Sequence, residues 1–271
     1  MSRRAITLAA AVALILAGAA ALVLSLPHRD GKGGILVMCG ASMRAPVEEI
    51  VRRYTEATGE RVLTSYGDSG ALCAQISRTG LGDIYICHDP FMPWAAERGL
   101  IERWQPVARL EIVIVVPKGN PRGIARPEDL AQPGLRLGMG DETYSTSGVM
   151  VKEMLKRLPC GEEIRRNIRM ETKGHQQRCN DVALGTLDAA VVWNAVAHVY
   201  RDRLDAIPIA EDYVDAVTSA TYKRSDLRNV RVTVGVLACS RDKERAVRFH
   251  EFVTTRCADL FRQYGFSPVR E

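Results

Sequence analysis

The chain contains no C-x-x-C pair, no dense Lys/Arg block with interleaved aromatics, and no internal repeat. Each absence closes a class. Without C-x-x-C, a zinc ribbon or a thioredoxin-type redox site is unsupported. Without a basic block, and with a formal net charge of only +5, nucleic-acid binding has no electrostatic footprint. No clustered His/Asp set stands out either. The adjacent His88 and Asp89 read as a loop dipeptide, so no metal, cofactor or catalytic role is assigned. What is present is ordinary globular material. At 46% apolar and 25% charged over 271 residues, the chain can bury one large core or two modest ones.

The N-terminus is different. Ser2-Arg3-Arg4 precedes an uncharged stretch, Ala5 to Leu26, about the ~20 residues that cross a bilayer. The flanking arginines predict that this end stays in the cytoplasm and the rest is exported. Ala17-Gly18-Ala19 offers a cleavage site, but the apolar run continues past it. Residues 1–26 are therefore a signal peptide or a membrane anchor, and residues 27–34 a polar, glycine-rich linker. No cysteine follows closely, so a lipid anchor has no attachment point. Seven cysteines are an odd number for an exported chain. Cys39 and Cys87 end apolar runs and read as small buried hydrophobes, although a bridge between them stays open. Cys73 falls one turn into a helical pattern, where a thiolate is favoured, yet no partner base is in view.

From Ile35 onward, β-type runs alternate with helical stretches. Strand 35–39 leads to a helix at 43–58, with Pro46 in its first turn and Gly59 at its end. Strand 61–66, a helix at 69–79 stopped by Gly80, strand 83–87 and a helix at 91–99 follow. Arg109–Pro117 is a continuous β-branched run suited to a central strand. The alternation then restarts with strands near 136–138, 168–172 and 189–193 and helices near 147–158 and 176–184. Strand 231–239 and a helical stretch over 242–264, one helix or two, close the chain. This βαβ order predicts an α/β protein with mostly parallel sheets. Ligands of such sheets bind beyond the strands' carboxyl ends.

Those ends carry Ser42 and Ser69, each where an apolar run stops and a helical pattern starts. Free N–H groups of a first helical turn, the helix dipole and a hydroxyl would together make a donor set for a small oxyanion. The alternative is that both serines are simple N-caps. Asp68 and Asp141 would repel a dianion if their carboxylates faced it, and read as turn formers or hinge partners.

Five stretches now resemble a known family: Cys39-Gly40-Ala41-Ser42-Met43, Tyr66 through Ile76, Val115 through Pro121, Leu137-Gly138-Met139-Gly140-Asp141, and Leu260 through Phe266. The chain resembles the periplasmic molybdate/tungstate-binding proteins of ABC transporters, within the two-lobed substrate-binding superfamily. The resemblance implies a two-lobed periplasmic-binding-protein (type II) fold, each lobe a mostly parallel sheet flanked by helices. Lobe 1 would hold residues 35–112 and 232–271, and lobe 2 residues 113–231. It maps the first-lobe ligands onto Ser42 and Ser69. The second-lobe ligands map onto the backbone of Ser147 before Gly148, the backbone amide at His175, and Trp193 at a strand end. The chain departs from the family there, because an indole N–H replaces a phenol and donates without accepting. His175 adds a donor whose charge depends on pH. Ser145, Thr146 and Ser147 bring extra hydroxyls.

The implied function is capture of a tetrahedral oxyanion, molybdate or tungstate, in an interlobe cleft and delivery to an ABC permease. The expected protein is a non-enzymatic monomer, periplasmic or otherwise extracytoplasmic, with residues 5–26 as its possible inner-membrane anchor. A membrane-anchored ligand sensor, or a binding protein of the same fold for another anion or a metal complex, are the alternatives.

Overall fold

The computed structural model describes residues 33–143, 145–172, 174–214, 216–219 and 223–270. The N-terminal apolar segment, and the linker as far as residue 32, lie outside them. The chain divides into residues 1–34 and 35–271, and every element below belongs to the second unit. Among the described residues no helix is long and apolar enough to cross a membrane.

Two five-stranded sheets organise this unit. The first is built from β1 (Ile35–Gly40), β2 (Val62–Gly67), β3 (Ile84–His88), β4 (Ile101–Leu110) and the late strand β12 (Val230–Leu237), in the order β2-β1-β3-β12-β4. The second is built from β5 (Ile112–Pro117), β6 (Leu137–Met139), β7 (Ile168–Glu171), β8 (Ala189–Trp193) and β9 (Leu204–Pro208), in the order β7-β6-β8-β5-β9. A separate hairpin pairs β10 (Ala216–Ser219) with β11 (Lys223–Asp226). Each large sheet has one strand that runs against the other four, β12 in the first and β5 in the second. These two are also the strands by which the chain enters a sheet from the other one. The mostly parallel character expected from the βαβ order thus holds in both, as does the two-lobed fold.

The helices follow from local chemistry. In α1 (Arg44–Thr58), Val47, Ile50 and Tyr54 recur at helical spacing and are buried. Gly59 ends it at φ 70, a left-handed cap that donates to the Thr55 carbonyl at 2.8 Å. In α2 (Ser69–Thr79), Leu72, Cys73 and Ile76 are buried. α3 (Phe91–Glu97), α4 (Thr146–Arg157), α5 (Gly161–Asn167), α6 (His175–Ala183) and α7 (Asn194–Val199) follow. The C-terminal helical stretch divides into α8 (Lys243–Glu251) and α9 (Ala258–Gln263), separated by a π-type turn at Phe252–Arg256.

One sequence expectation changes and one open alternative closes, Cys39 and Cys87 being the buried small hydrophobes expected. The run Arg109–Pro117 is not one strand. It breaks at Glu111, whose N–H donates to Asn194 Oδ1 (3.1 Å) and whose carbonyl accepts from the Asn194 N–H (2.9 Å). The β-branched run is shared by two sheets, so continuous burial does not mean continuous pairing. The Cys39–Cys87 bridge is absent, because all seven cysteines are free. Cys39 pairs in register with Ile86, so Cys87 is one residue out of register with it. Alternation then sends the two thiols to opposite faces of the sheet. Cys39 packs with Val37, Ile84 and α1, while Cys87 packs with Met38, Tyr85, Leu72 and Met92.

Candidate functional site

The parallel strands β1, β2 and β3 of the first sheet, and β6, β7 and β8 of the second, each end at or beside one cavity of about 230 Å³. Its lining includes Ala41 and Ser42 after β1, Asp68 and Ser69 after β2, and His88 and Phe91 at and after β3. From the other sheet come Ser145 and Thr146 after β6, Gly174, His175 and Gln176 after β7, and Trp193 closing β8. The starts of α2, α4 and α6 therefore converge on one space, with their dipoles and first-turn N–H groups. Among the described residues, no Lys or Arg side chain lines it.

Ser69 is the most telling residue. It is 3% exposed, and its hydroxyl is buried without a hydrogen-bond partner among the described residues. Capping does not explain it, because Asp68 is the N-cap of α2 and its carboxylate accepts from Ala71 N at 3.0 Å. Tyr85 Oη donates to the Ser69 carbonyl at 2.6 Å and fixes this turn from below. Gly40 lets the turn close, since a Cβ would land on the Ser69 hydroxyl and the Met43 methyl and force those side chains to shift. Ser42 sits in the 3-10 turn Ala41–Met43 ahead of α1 and makes no side-chain cap.

In the second sheet the structure redistributes the expected hydroxyls. Ser147 is completely buried, and its hydroxyl is 3.0 Å from that of Ser145. Its side chain does not reach the cavity, whereas Ser145 and Thr146 line it. The cause is the tight approach of α4 to the loop after β6. A Cβ on Gly148 would collide with the Asp141 and Gly140 carbonyls. Asp141 holds its own turn, accepting from the Thr143 N–H at 2.9 Å.

His175 and Trp193 form one wall, rings stacked with centroids 5.4 Å apart and planes at 26°. His175 Nδ1 accepts from the Trp193 backbone N–H at 3.3 Å and lies 2.9 Å from Arg178 Nη2. Burial, then the Arg178 and His88 charges, hold the His175 imidazole well below its ordinary pKa, so it is neutral. His88 extends the wall, 5.8 Å from Trp193 and 5.6 Å from Phe91 between ring centroids. Its Nδ1–H donates to the Asp89 carbonyl at 2.7 Å, and burial lowers its pKa as well. Asp89 is occupied elsewhere, by Arg231 Nε at 2.8 Å, so the His88-Asp89 pair is not a ligand set.

Ser42, Ser69, His175 and Trp193 are thus brought together on one cavity, and Ser147 contributes no side chain to it. Sequence reasoning set His88 aside as a loop residue, although it ends β3, and passed over Phe91 and Arg178. His88 and Phe91 were open to the same strand-end rule that singled out Ser42 and Ser69. Arg178 gave no signal, because an arginine three residues into a helix looks like a solvated charge. The expectation that Cys73 would favour a thiolate is also corrected. Burial raises its pKa, and it packs in the core beside Tyr85.

A second cavity of about 190 Å³ adjoins the first through Ala41, Ser42 and Gln176. Val196, Val199, Tyr200, Tyr264 and Phe266 give it a largely apolar lining.

The model of the bacterial extracellular solute-binding protein family matches residues 35–267. The chain belongs to this family. Two curated relatives match along most of their length. A binding protein of Haemophilus influenzae is 24% identical over 238 residues, covering 87% of this chain and 91% of the relative. The molybdate-binding protein ModA of Escherichia coli is 23% identical over 252 residues, covering 87% and 90%. Among solved structures, the periplasmic molybdate-binding protein of Azotobacter vinelandii superposes with a TM-score of 0.70 at 15% identity, covering 87% of this chain and 100% of that one. PEB3 of Campylobacter jejuni with bound L-phospholactate superposes with a TM-score of 0.67 at 18% identity, covering 86% and 99%. At these identities the structures establish the shared fold of this solute-binding protein. Its ligand is a matter for its own site.

Proposed function

We propose that this solute-binding protein captures a small tetrahedral oxyanion, with molybdate or tungstate the leading candidates, between its two sheets and passes it to an ABC permease outside the cytoplasm. The observation that carries this reading is a cavity where several helix starts meet, lined by Ser69, whose buried hydroxyl has no hydrogen-bond partner among the described residues. A buried hydroxyl without a partner costs about 1–3 kcal/mol, and an anion supplies the missing acceptor. Uncharged donors suit the task. Each charge-assisted hydrogen bond contributes roughly 1.5–3 kcal/mol, so five of them can exceed the ~8 kcal/mol of micromolar binding after closure costs. At about 230 Å³ the cavity is smaller than the ~300–1,000 Å³ of drug-sized pockets. The molybdate-binding relative supports the choice of candidates.

One observation favours a second reading. The adjoining apolar cavity has room for a substituent, which suits an organic phosphate or similar anion, and the L-phospholactate complex of PEB3 is a precedent on this fold. Titration calorimetry and thermal shift with molybdate, tungstate, sulfate, phosphate and phospholactate separate the two. Stabilisation by the group-six oxyanions alone supports the first reading. Tightest binding to phospholactate selects the second, and no response to any of them refutes both.

A further inference from the structure

Arg178 is a cation with no exposed surface. Its Nε donates to the Val191 carbonyl at 3.1 Å, and its Nη1 to the Met139 carbonyl at 3.3 Å and to the Thr172 carbonyl. Val191 lies in β8, Met139 ends β6 and Thr172 follows β7. The guanidinium therefore ties together the carboxyl ends of the three neighbouring parallel strands of the second sheet. Carbonyls satisfy its hydrogen bonds but carry no net charge. Besides the neutral His175 ring, the ionisable group that acts on it among the described residues is the Cys179 thiol, itself pushed up to about 12 by burial. Burial lowers Arg178 to about 10, which leaves it charged at neutral pH. A buried cation without a counter-ion is costly and calls for an anion nearby.

Its remaining contact shows where that anion goes. Arg178 Nη2 meets His175 Nδ1 at 2.9 Å, and the same nitrogen receives the Trp193 N–H at 3.3 Å. A ring nitrogen that accepts two N–H groups carries no proton, so the neutral imidazole holds its proton on Nε2. His175 lines the cavity, and with Nδ1 engaged, Nε2 is the ring nitrogen left to donate.

We propose that Arg178 is a positioning residue for anion capture, locking His175 as an Nε2–H donor and placing a fixed positive charge one imidazole behind the cavity wall. The charge half of this inference rests on the oxyanion reading above; the tautomer half does not. The titratable and charged groups that bear on His175 are Arg178 on its own helix and His88 at the end of β3. Asp68 and Asp89 bear on His88 in turn.

The test has two arms. Long-range ¹H–¹⁵N spectra of the unliganded wild-type protein report the His175 ring directly. Nε2 protonated and Nδ1 bare at neutral pH is the expected result, and the opposite tautomer or an imidazolium overturns the proposal without any variant. In the second arm, molybdate affinity is measured from pH 5.5 to 8 in a His88→Gln background, which removes the other imidazole. Here His175 contributes no titration while Arg178 is present. Arg178→Met should weaken binding at least tenfold at neutral pH and, since burial still depresses the ring, introduce a gain in affinity that sets in below the ordinary histidine range of about 6.5 as the freed His175 protonates. Arg178→Lys, which keeps charge but cannot span the carbonyls and Nδ1 together, should recover part of the neutral-pH affinity. An Arg178→Met protein that binds like its parent, with no new pH dependence, overturns the proposal. If the wild type binds no molybdate, the ligand reading and the charge half fail together, and the tautomer is still decided by the spectra.

Discussion

Ser69→Ala separates a ligand hydroxyl from a helix cap, because the two roles predict opposite signs for stability. An N-cap serine replaced by alanine destabilises its helix by about 0.5–2 kcal/mol. In this protein the cap is Asp68, and the Ser69 hydroxyl is buried with no partner among the described residues. Removing it relieves the burial of an unsatisfied polar group, conservatively about 1 kcal/mol. For a unit of this size, that raises the melting temperature of the unliganded protein by about 2–4 °C. Binding moves the other way. Losing one charge-assisted hydrogen bond, roughly 1.5–3 kcal/mol, weakens the anion about 10- to 150-fold. Differential scanning calorimetry without ligand and titration calorimetry with molybdate read the two effects separately. A lowered melting temperature with unchanged affinity would show that Ser69 is only structural, and the site argument would fail with it.

Gly148→Ala should act through packing. Its Cβ would press on the Asp141 and Gly140 carbonyls, backbone that cannot rotate aside. Overpacking of this kind costs about 1–3 kcal/mol, and shifting the start of α4 should also weaken anion binding, both visible in one thermal-shift series. Stability should fall in acid. Burial is the leading cause of lowered pKa values at His88, His175, His198 and His250, so below about pH 6.5 the unfolded chain takes up protons that the folded one refuses. Melting temperatures between pH 7.5 and 5 should therefore decrease, and a flat profile would contradict the burial of these imidazoles. Finally, denaturing alkylation followed by mass spectrometry should count seven free thiols, with no effect of prior reduction.

Much of the architecture was legible because local signals and topology agreed. Apolar spacing in 43–58, Pro46 in the first turn and Gly59 at the end all point to α1. Where they disagreed, sequence reasoning fell short. β4 begins with Ile101-Glu102-Arg103-Trp104-Gln105-Pro106, largely exposed on an edge strand that tolerates both proline and charge. It lacks the pattern of a half-buried strand. The break at Glu111 was invisible because both halves of the run are equally apolar, and only the partner Asn194 marks the crossing. At the site, the strand-end rule located Ser42, Ser69 and Trp193 on the cavity. It could not say that Ser147 would turn inward, since that depends on how closely Gly148 lets α4 approach Gly140. Arg178 was hidden for a related reason. Its role comes from three carbonyls distant in sequence, and no local pattern records them.

The most direct measurement is a crystal structure of the protein grown with tungstate, whose metal is located by anomalous scattering. One strong peak should lie in the cavity between the sheets, its oxygens within hydrogen-bond reach of the Ser42 and Ser69 hydroxyls on one side and the start of α6 on the other. Tungsten found only on the outer surface, with that cavity filled by water at saturating tungstate, would contradict the account.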